Sequence, residues 1–513
     1  MENKKVLIRI QNLTKHFPIK KKSIFQREQL FVQANDNITL DIYEGETFGL
    51  VGESGCGKST LGRVILQLYP QTSGTTLYYG RTLEDFKPKY VRRVIHQLAG
   101  IVADYERLVA ETGKDLLQEK LSTLNPRQRR VRSRYEDVLR IAGGLVLADD
   151  LHEVSRVLEA EYEASTIYSP LAARLVDLEM NRDVLENLEN RTMEENQRLA
   201  DCKQDIEQLM PQLKRAKLEF DTRQDALDKL KDRYASKEGF ARLDKMQDHG
   251  IDLAKLTGEE IRVLRRELQV IFQDPYSSLN PRLTVGQLIS EALTAHNIFK
   301  AGTRILEQFV LNIMDKCGLQ PYTLHRYPHQ FSGGQRQRIG IARALAPQPK
   351  FVVCDEPVSA LDVSIQSQII NLLLDLKQQQ RLTYLFISHD LSVVKFISDR
   401  IGVMYLGAMV ELTTPEEIFQ NPLHPYTEAL LEAIPTTEDE SKRELAVIKG
   451  DIPSPINPPS GCRFHTRCKY ATEECKQVVP EWREMKPGHF VACHYPLLDR
   501  GEAGAEKVKG ASA

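Results

Sequence analysis

No run of 18 apolar residues occurs anywhere in the 513-residue chain, so no segment of it reads as a membrane-spanning helix. Charge of one sign is also missing: 69 Lys and Arg face 71 Asp and Glu, a formal net charge of −2. That balance argues against gripping nucleic acid by bulk charge, and no nucleic acid is expected as a partner. Met1–Ile10 has two lysines and a short apolar stretch without a secretory h-region. A cytoplasmic protein with reduced thiols is therefore expected. The length is too great for one ordinary domain and suggests about three.

Glycine is absent from residues 171–238, and Pro211 is the one proline there. Apolar positions recur at Leu199, Cys202, Ile206, Leu209, Leu213, Ala216, Phe220, Leu227, Leu230 and Tyr234, with Arg223 interrupting. Steps of three and four over about five heptads predict a coiled-coil seam, in which Pro211 should kink or break the helix. One seam cannot bury itself, so a second helix is needed. Val91–Leu108, with Val91, Val94, Ile95, Leu98, Val102 and Leu108, is the candidate partner. Residues 82–255 are read as a helical insertion.

The insertion interrupts an α/β pattern. Val6, Ile8 and Ile10 alternate as a strand, as do Ile38, Leu40 and Ile42. Lys20, Lys21 and Lys22 read as a solvated loop. Phe48–Val51 is a short apolar run leading into a glycine-rich turn, with a helical pattern from Thr60. After Leu256, strands at Leu268–Phe272, Phe351–Cys354, Thr383–Ser388 and Ile401–Tyr405 alternate with helices, which implies a mostly parallel sheet. Residues 1–81 and 256–420 are expected to form this part, 421–500 a proline- and cysteine-rich region, and 501–513 a disordered tail.

Gly52-Glu53-Ser54-Gly55-Cys56-Gly57-Lys58-Ser59-Thr60 fits the phosphate-loop pattern in its required strand–loop–helix setting. Its glycines let backbone N–H groups converge on phosphate oxygens at a helix N-terminus. Lys58 supplies a charge for the β and γ phosphates and Ser59 a hydroxyl for Mg²⁺. Asp355 and Glu356 end a buried strand. One carboxylate there can hold Mg²⁺ and the other can polarise an attacking water. Ser332-Gly333-Gly334-Gln335 opens a helix and can present donors to an anion. Four of the eight cysteines, Cys462, Cys468, Cys475 and Cys493, fall within 32 residues. In a reduced compartment the cluster points to a metal group, a [4Fe–4S] cluster or a tetrahedral Zn²⁺, with free thiols as the alternative. Five residues separate the first pair, outside the two to four of compact zinc sites, and Arg463, Arg467 and Lys469 would favour a net-negative cluster.

Together these motifs resemble the ATP-binding cassette of ABC transporters. The resemblance implies a P-loop NTPase fold with antiparallel and helical subdomains. It also implies ATP and Mg²⁺ as ligands. It matches Ser332–Gln335 to the signature, Gln273 to the Q-loop, Asp362 to the D-loop, His389 to the switch histidine and Phe17 to an adenine-stacking ring. Ser59, Gln273 and Asp355 would serve Mg²⁺, and Glu356, His389 and Gln273 would serve hydrolysis. Ile271–Pro281 and Asn421–Leu430 are similar to the oligopeptide/dipeptide importer subfamily, some of whose members carry an iron–sulfur cluster while others serve nickel or other solutes. The resemblance implies a head-to-tail dimer with a sister or identical ATPase, two integral membrane permease subunits, an extracytoplasmic solute-binding protein acting indirectly, and a peripheral place on the cytoplasmic face of the membrane. The long insertion departs from the pattern. It leaves a second reading open, a coil-bearing ABC-type ATPase of DNA repair or chromosome organisation, and a third, a non-transporting regulator.

Overall fold

Thr47, Phe48, Gly49, Leu50 and Val51 are all buried. A strand with no solvent face is what a parallel sheet covered on both sides requires. In the structure, a computed structural model, these residues form β3, after β1 (Val6–Pro18) and β2 (Phe31–Tyr43). The structure describes residues 4–21, 29–119, 123–188, 190–433 and 450–497. Lys22 and the expected tail 501–513 lie outside them.

The described residues fall into two compact units. The first takes in residues up to 76, 263–296 and from 306 onward; the second takes in 77–262 and 297–305. In the first unit, β1 and β2 pair antiparallel. β3 lies parallel between β8 (Thr383–Ile387) and β9 (Arg400–Tyr405). β7 (Phe351–Asp355) follows β8, and β6 (Leu268–Ile271) closes that side, all parallel. Beyond β9, three strands extend the sheet antiparallel: β10 (Ala408–Thr413), β12 (His489–Val491) and β11 (Arg483–Lys486). The C-terminal region thus supplies the edge of this sheet. The mixed, mostly parallel α/β architecture is the expected one.

In the second unit, the Leu77–Thr82 part of β4 (Ser73–Thr82) pairs antiparallel with β5 (Gly250–Asp252), with Thr82 opposite Gly250. Leu83 N–H donates to His249 O at 2.9 Å. The chain therefore leaves and re-enters at neighbouring backbone positions. Between them lie helices Lys89–Thr112, Pro126–Ala142, Leu151–Glu186 and Met193–Tyr234.

One expectation is narrowed here and one corrected. Of the kink or break expected at Pro211, the break does not occur: the long helix runs from Met193 to Tyr234. Pro211 is exposed, and water on that side can take up the carbonyl that proline leaves unbonded. The partner of this helix is Leu151–Glu186, not Val91–Leu108. Tyr168 stacks on Phe220 with centroids 5.7 Å apart, Cys202 Sγ donates to Leu178 O at 3.3 Å, and Arg233 pairs with Glu153 at 2.9 Å. These contacts run in opposite chain directions, so the two helices are antiparallel. No seam residue is exposed, and at the interruption Arg223 faces solvent while Gln224 is half-buried in its place. Lys89–Thr112 instead packs on Pro126–Ala142 and Leu151–Glu186, with Tyr105 stacked on Tyr135 at 3.8 Å. Lys87 and Glu161 form a buried ion pair at 2.7 Å in this unit. Among the described residues no helix is long and apolar enough to cross a membrane.

Candidate active site

The phosphate loop leaves the C-terminal end of β3, where parallel sheets place their ligands. Only glycine fits at two of its turns. A Cβ on Gly52 (φ +148°) would lie 2.2 Å from Met404 O, and one on Gly57 (φ +103°) 2.1 Å from Ala34 O. Gly57 is the N-cap of helix Lys58–Ile65, and its carbonyl accepts from Asn35 Nδ2 at 3.0 Å. Lys58 is buried against its own loop and donates to Gly52 O at 2.7 Å and Glu53 O at 3.0 Å. Its third contact is Cys56 Sγ at 3.8 Å, so an ammonium held by neutral acceptors alone is available to a stronger anionic one. Cys56 is buried beside it, and burial raises its thiol.

A cleft of about 370 Å³ opens over the loop. Ser54, Gly55, Gly57, Lys58, Ser59 and Thr60 form its floor, Phe17 one wall, and Gln273 and Glu356 another. Phe17 sits edge-on to Tyr69 at 5.5 Å, under Lys15 Nζ at 4.5 Å. The sequence placed these residues in one site, and the fold brings them together across more than 330 positions of chain.

Asp355 and Glu356 emerge at the end of β7. Asp355 is buried; its Oδ2 lies 3.3 Å from Arg63, while its Oδ1 has no hydrogen-bond partner. A buried carboxylate oxygen without a donor suits a cation, so the donor set of Asp355 and Ser59 fits Mg²⁺. Glu356 takes φ +47°, a conformation that costs a non-glycine residue about 1–2 kcal/mol, and its N–H donates to Ile387 O at 3.0 Å. Its Oε2 accepts from Gln273 Nε2 at 2.8 Å and lies 3.3 Å from His389 Nδ1. Glu356, Gln273 and His389 thus share one carboxylate oxygen at the cleft.

Ser332, Gly333, Gly334, Gln335 and Asp362 do not line this cleft. Ser332 caps helix Gly333–Leu345 in a reciprocal box with Gln335. Asp362 caps Val363–Gln380, and its hydrogen bonds to Ile365 N–H and Ser364 hold its carboxyl below the usual range. Ser332, Gln335 and Asp362 are exposed.

Cys462, Cys468, Cys475 and Cys493 line one small pocket with Phe464, His465 and His494. Burial pushes the Cys462 thiol up to about 11 and the Cys493 thiol up to about 12. Among the described residues no three His, Cys, Asp or Glu side chains form a group that could hold a metal ion. The expected surplus of positive charge is also absent. Arg463 pairs with Asp36, Arg467 with Glu53, and Lys469 with Glu428 and Glu432.

Sequence reasoning missed Asn35, the cleft residue Pro455, and the link from Arg467 and Tyr426 to Glu53. None has a local signal, since each partner lies at least 22 residues away.

Two family descriptions match the chain. "ABC transporter" covers residues 35–240 and 226–359, and "Oligopeptide/dipeptide transporter, C-terminal region" covers residues 410–475. The oligopeptide transport ATP-binding protein AppF of Bacillus subtilis is 54% identical over 248 residues, 48% of this chain and 75% of the relative. YkfD of the same organism is 52% identical over 265 residues, 51% of this chain and 78% of the relative. With a phosphate loop, a paired carboxylate and a capped Ser-Gly-Gly-Gln helix on a parallel sheet, the chain belongs to the ABC transporter ATP-binding family.

Proposed function

We propose that this chain is the ATP-hydrolysing subunit of an ABC importer that energises uptake of peptides, working at the cytoplasmic face of the membrane. The observation that carries the chemistry is the shared carboxylate oxygen of Glu356, bonded to Gln273 and near His389, facing the phosphate loop across one cleft. Peptide as cargo rests on the match at 410–475 and on the oligopeptide transport function in the name of AppF. No relative reported above is a DNA-repair or chromosome protein, so that second reading has no support.

In this reading Phe17 stacks on the adenine and the loop N–H groups bind the phosphates. Lys58 turns from Gly52 O to the β and γ phosphates. Ser59, Asp355 and Gln273 would hold Mg²⁺, which when bound would supply positive charge against the phosphates. Glu356 accepts the proton of the attacking water, Gln273 orients that carboxylate, and His389 donates to the γ-phosphate. Ser332, Gly333, Gly334, Gln335 and Asp362 lie away from their own chain's cleft, Ser332, Gln335 and Asp362 exposed and the two glycines half-buried, as suits residues that complete the site of a sister or identical subunit. Two membrane permeases, fed by a solute-binding protein, would take up the motion of closure.

For the cysteine pocket we propose a [4Fe–4S] cluster rather than zinc. Four thiols line one pocket, and the five residues between Cys462 and Cys468 fall outside the two to four of compact zinc sites. The test of the main reading is copurification. Tagged chain extracted from membranes in mild detergent should bring down two integral membrane proteins and hydrolyse ATP faster when a peptide-loaded binding protein is added. Recovery with DNA-repair proteins, or with no membrane protein, would refute it.

A further inference from the structure

Glu53, the second residue of the phosphate loop, is held from outside the loop at both ends. Its backbone N–H donates to Tyr426 Oη at 2.8 Å. Its carboxylate takes a two-pronged grip from Arg467, with Nη1 to Oε2 at 2.7 Å and Nη2 to Oε1 at 3.0 Å. Its carbonyl accepts from Lys58 Nζ and from Cys56 N–H, the latter at 3.2 Å. No other residue of Gly52–Thr60 has a side chain paired with a residue beyond position 420 among the hydrogen bonds described.

Both external anchors belong to the C-terminal region, more than 370 residues away. Each is rigid. Tyr426 is fully buried, with its ring 4.7 Å from Tyr405 and 5.3 Å from Phe464. It is the second residue of helix Pro425–Glu432, which His424 caps, and the segment before it is fixed by Glu411, whose carboxylate accepts from Leu423 N–H at 2.7 Å and His424 N–H at 2.9 Å. Glu411 is itself buried and paired with buried His489 on β12 at 2.7 Å. The Arg467 side chain is only 5% exposed. A continuous buried hydrogen-bonded path thus runs from the sheet edge to the phosphate loop.

We propose that Tyr426 and Arg467 are positioning residues of the nucleotide site. They turn the Glu53 N–H and side chain outward and so pre-set the loop's entry, leaving the later N–H groups free to converge on phosphate. A loop fixed before binding spares the nucleotide the cost of ordering it. A two-pronged charged grip also specifies geometry, which a lysine's point charge does not. The C-terminal region is therefore part of the ATPase site and not an appended cargo module. This inference rests on the nucleotide reading of the site.

The test uses the purified full chain and ATP with Mg²⁺. Tyr426→Phe removes one oxygen and keeps the ring; Arg467→Lys keeps the charge and loses the fork; Glu53→Gln keeps the shape and loses the charge. Each should raise Kd and KM for ATP about tenfold, with kcat within about threefold of the parent. The pair Glu53→Gln with Arg467→Lys should be no weaker than the worse single variant, because one residue acts through the other. The stabilisation that ATP gives against unfolding should shrink in parallel, while the nucleotide-free unfolding midpoint stays within a few degrees for Glu53→Gln, whose side chain is partly exposed. A parent chain that fails to bind ATP would overturn the nucleotide reading. A parent that binds, with Kd within twofold of it in Tyr426→Phe and Glu53→Gln, would overturn this inference alone, as would fully additive losses in the pair.

Discussion

Glu356→Gln isolates one function of the site, because the substitution leaves almost everything else in place. Glutamine has the same shape, and its amide oxygen can still accept from Gln273, which now sits 2.8 Å from Glu356 Oε2. Its backbone keeps the Ile387 hydrogen bond that supports the positive φ. What is lost is a base. A positioned proton acceptor contributes about 10²–10⁴-fold, or about 2.7–5.4 kcal/mol of transition-state stabilisation. Steady-state ATP hydrolysis should fall by that factor. Nucleotide affinity should hold or rise, because a carboxylate facing phosphate is replaced by a neutral group. Bound ATP should then accumulate in a two-chain species, seen by size-exclusion chromatography with ATP and Mg²⁺. The assay is phosphate release by protein matched for nucleotide occupancy. Hydrolysis within threefold of the parent would remove Glu356 as the base, and a tenfold loss of affinity would mean that it serves binding instead.

Three other outcomes are expected. Anaerobically purified protein should contain iron and absorb broadly in the blue, and Cys468→Ser should abolish both; stoichiometric zinc without iron would overturn the cluster. Glu161→Ala strands the buried Lys87 ammonium and should cost about 3–5 kcal/mol. Hydrogen exchange should show that loss in helix Leu151–Glu186, with the phosphate loop unaffected, and Lys87→Met combined with Glu161→Leu should recover most of it. Replacing residues 83–249 with a short Gly/Ser linker should leave a folded chain whose ATP affinity is within about threefold of the parent. The ends already pair at Thr82 and Gly250, and closure entropy changes by only about 0.6 kcal/mol per doubling of length. An unfolded product would make the insertion part of the core.

Legibility in the sequence followed the distance over which each signal acts. The phosphate loop was readable because its geometry is written in glycines two or three residues apart, at positions where a Cβ would strike Met404 O or Ala34 O. The carboxylate pair was readable because β7 is a fully buried apolar run that stops at Asp355. The heptad seam was readable as a buried face but not as a pairing. An apolar stripe states that something covers it, and both Val91–Leu108 and Leu151–Glu186 carry apolar residues enough to do so. What decides for the latter are side-chain matches such as Tyr168 on Phe220 and Arg233 on Glu153, which no period encodes. β10 and β12 escaped for a related reason. They are short, and their pairing is fixed by the buried Glu411–His489 contact across 78 residues.

That last contact changes how the C-terminal region is understood. Its prolines and cysteines suggest a separate module, and its positive charges suggest a metal site that needs them. The structure gives those charges other partners. Arg463 is held by Asp36 on β2, next to Asn35, which supports Gly57 O; Arg467 is held by Glu53 in the loop. Pro455 O accepts from Gln33 N–H at 2.9 Å and Pro455 lines the cleft, beside the wall formed by Val32 and Ala34. Three separate stretches of the region therefore meet the nucleotide cleft or its loop: one at Pro455, one at Tyr426, and one between Cys462 and Cys468. A group bound by those cysteines would fix the turn that carries Arg463 and Arg467, since both lie between two of its ligands. Loss of that group should then be felt at the phosphate loop before it is felt in the sheet, because Glu411 and His489 hold β10 and β12 together independently of any cysteine.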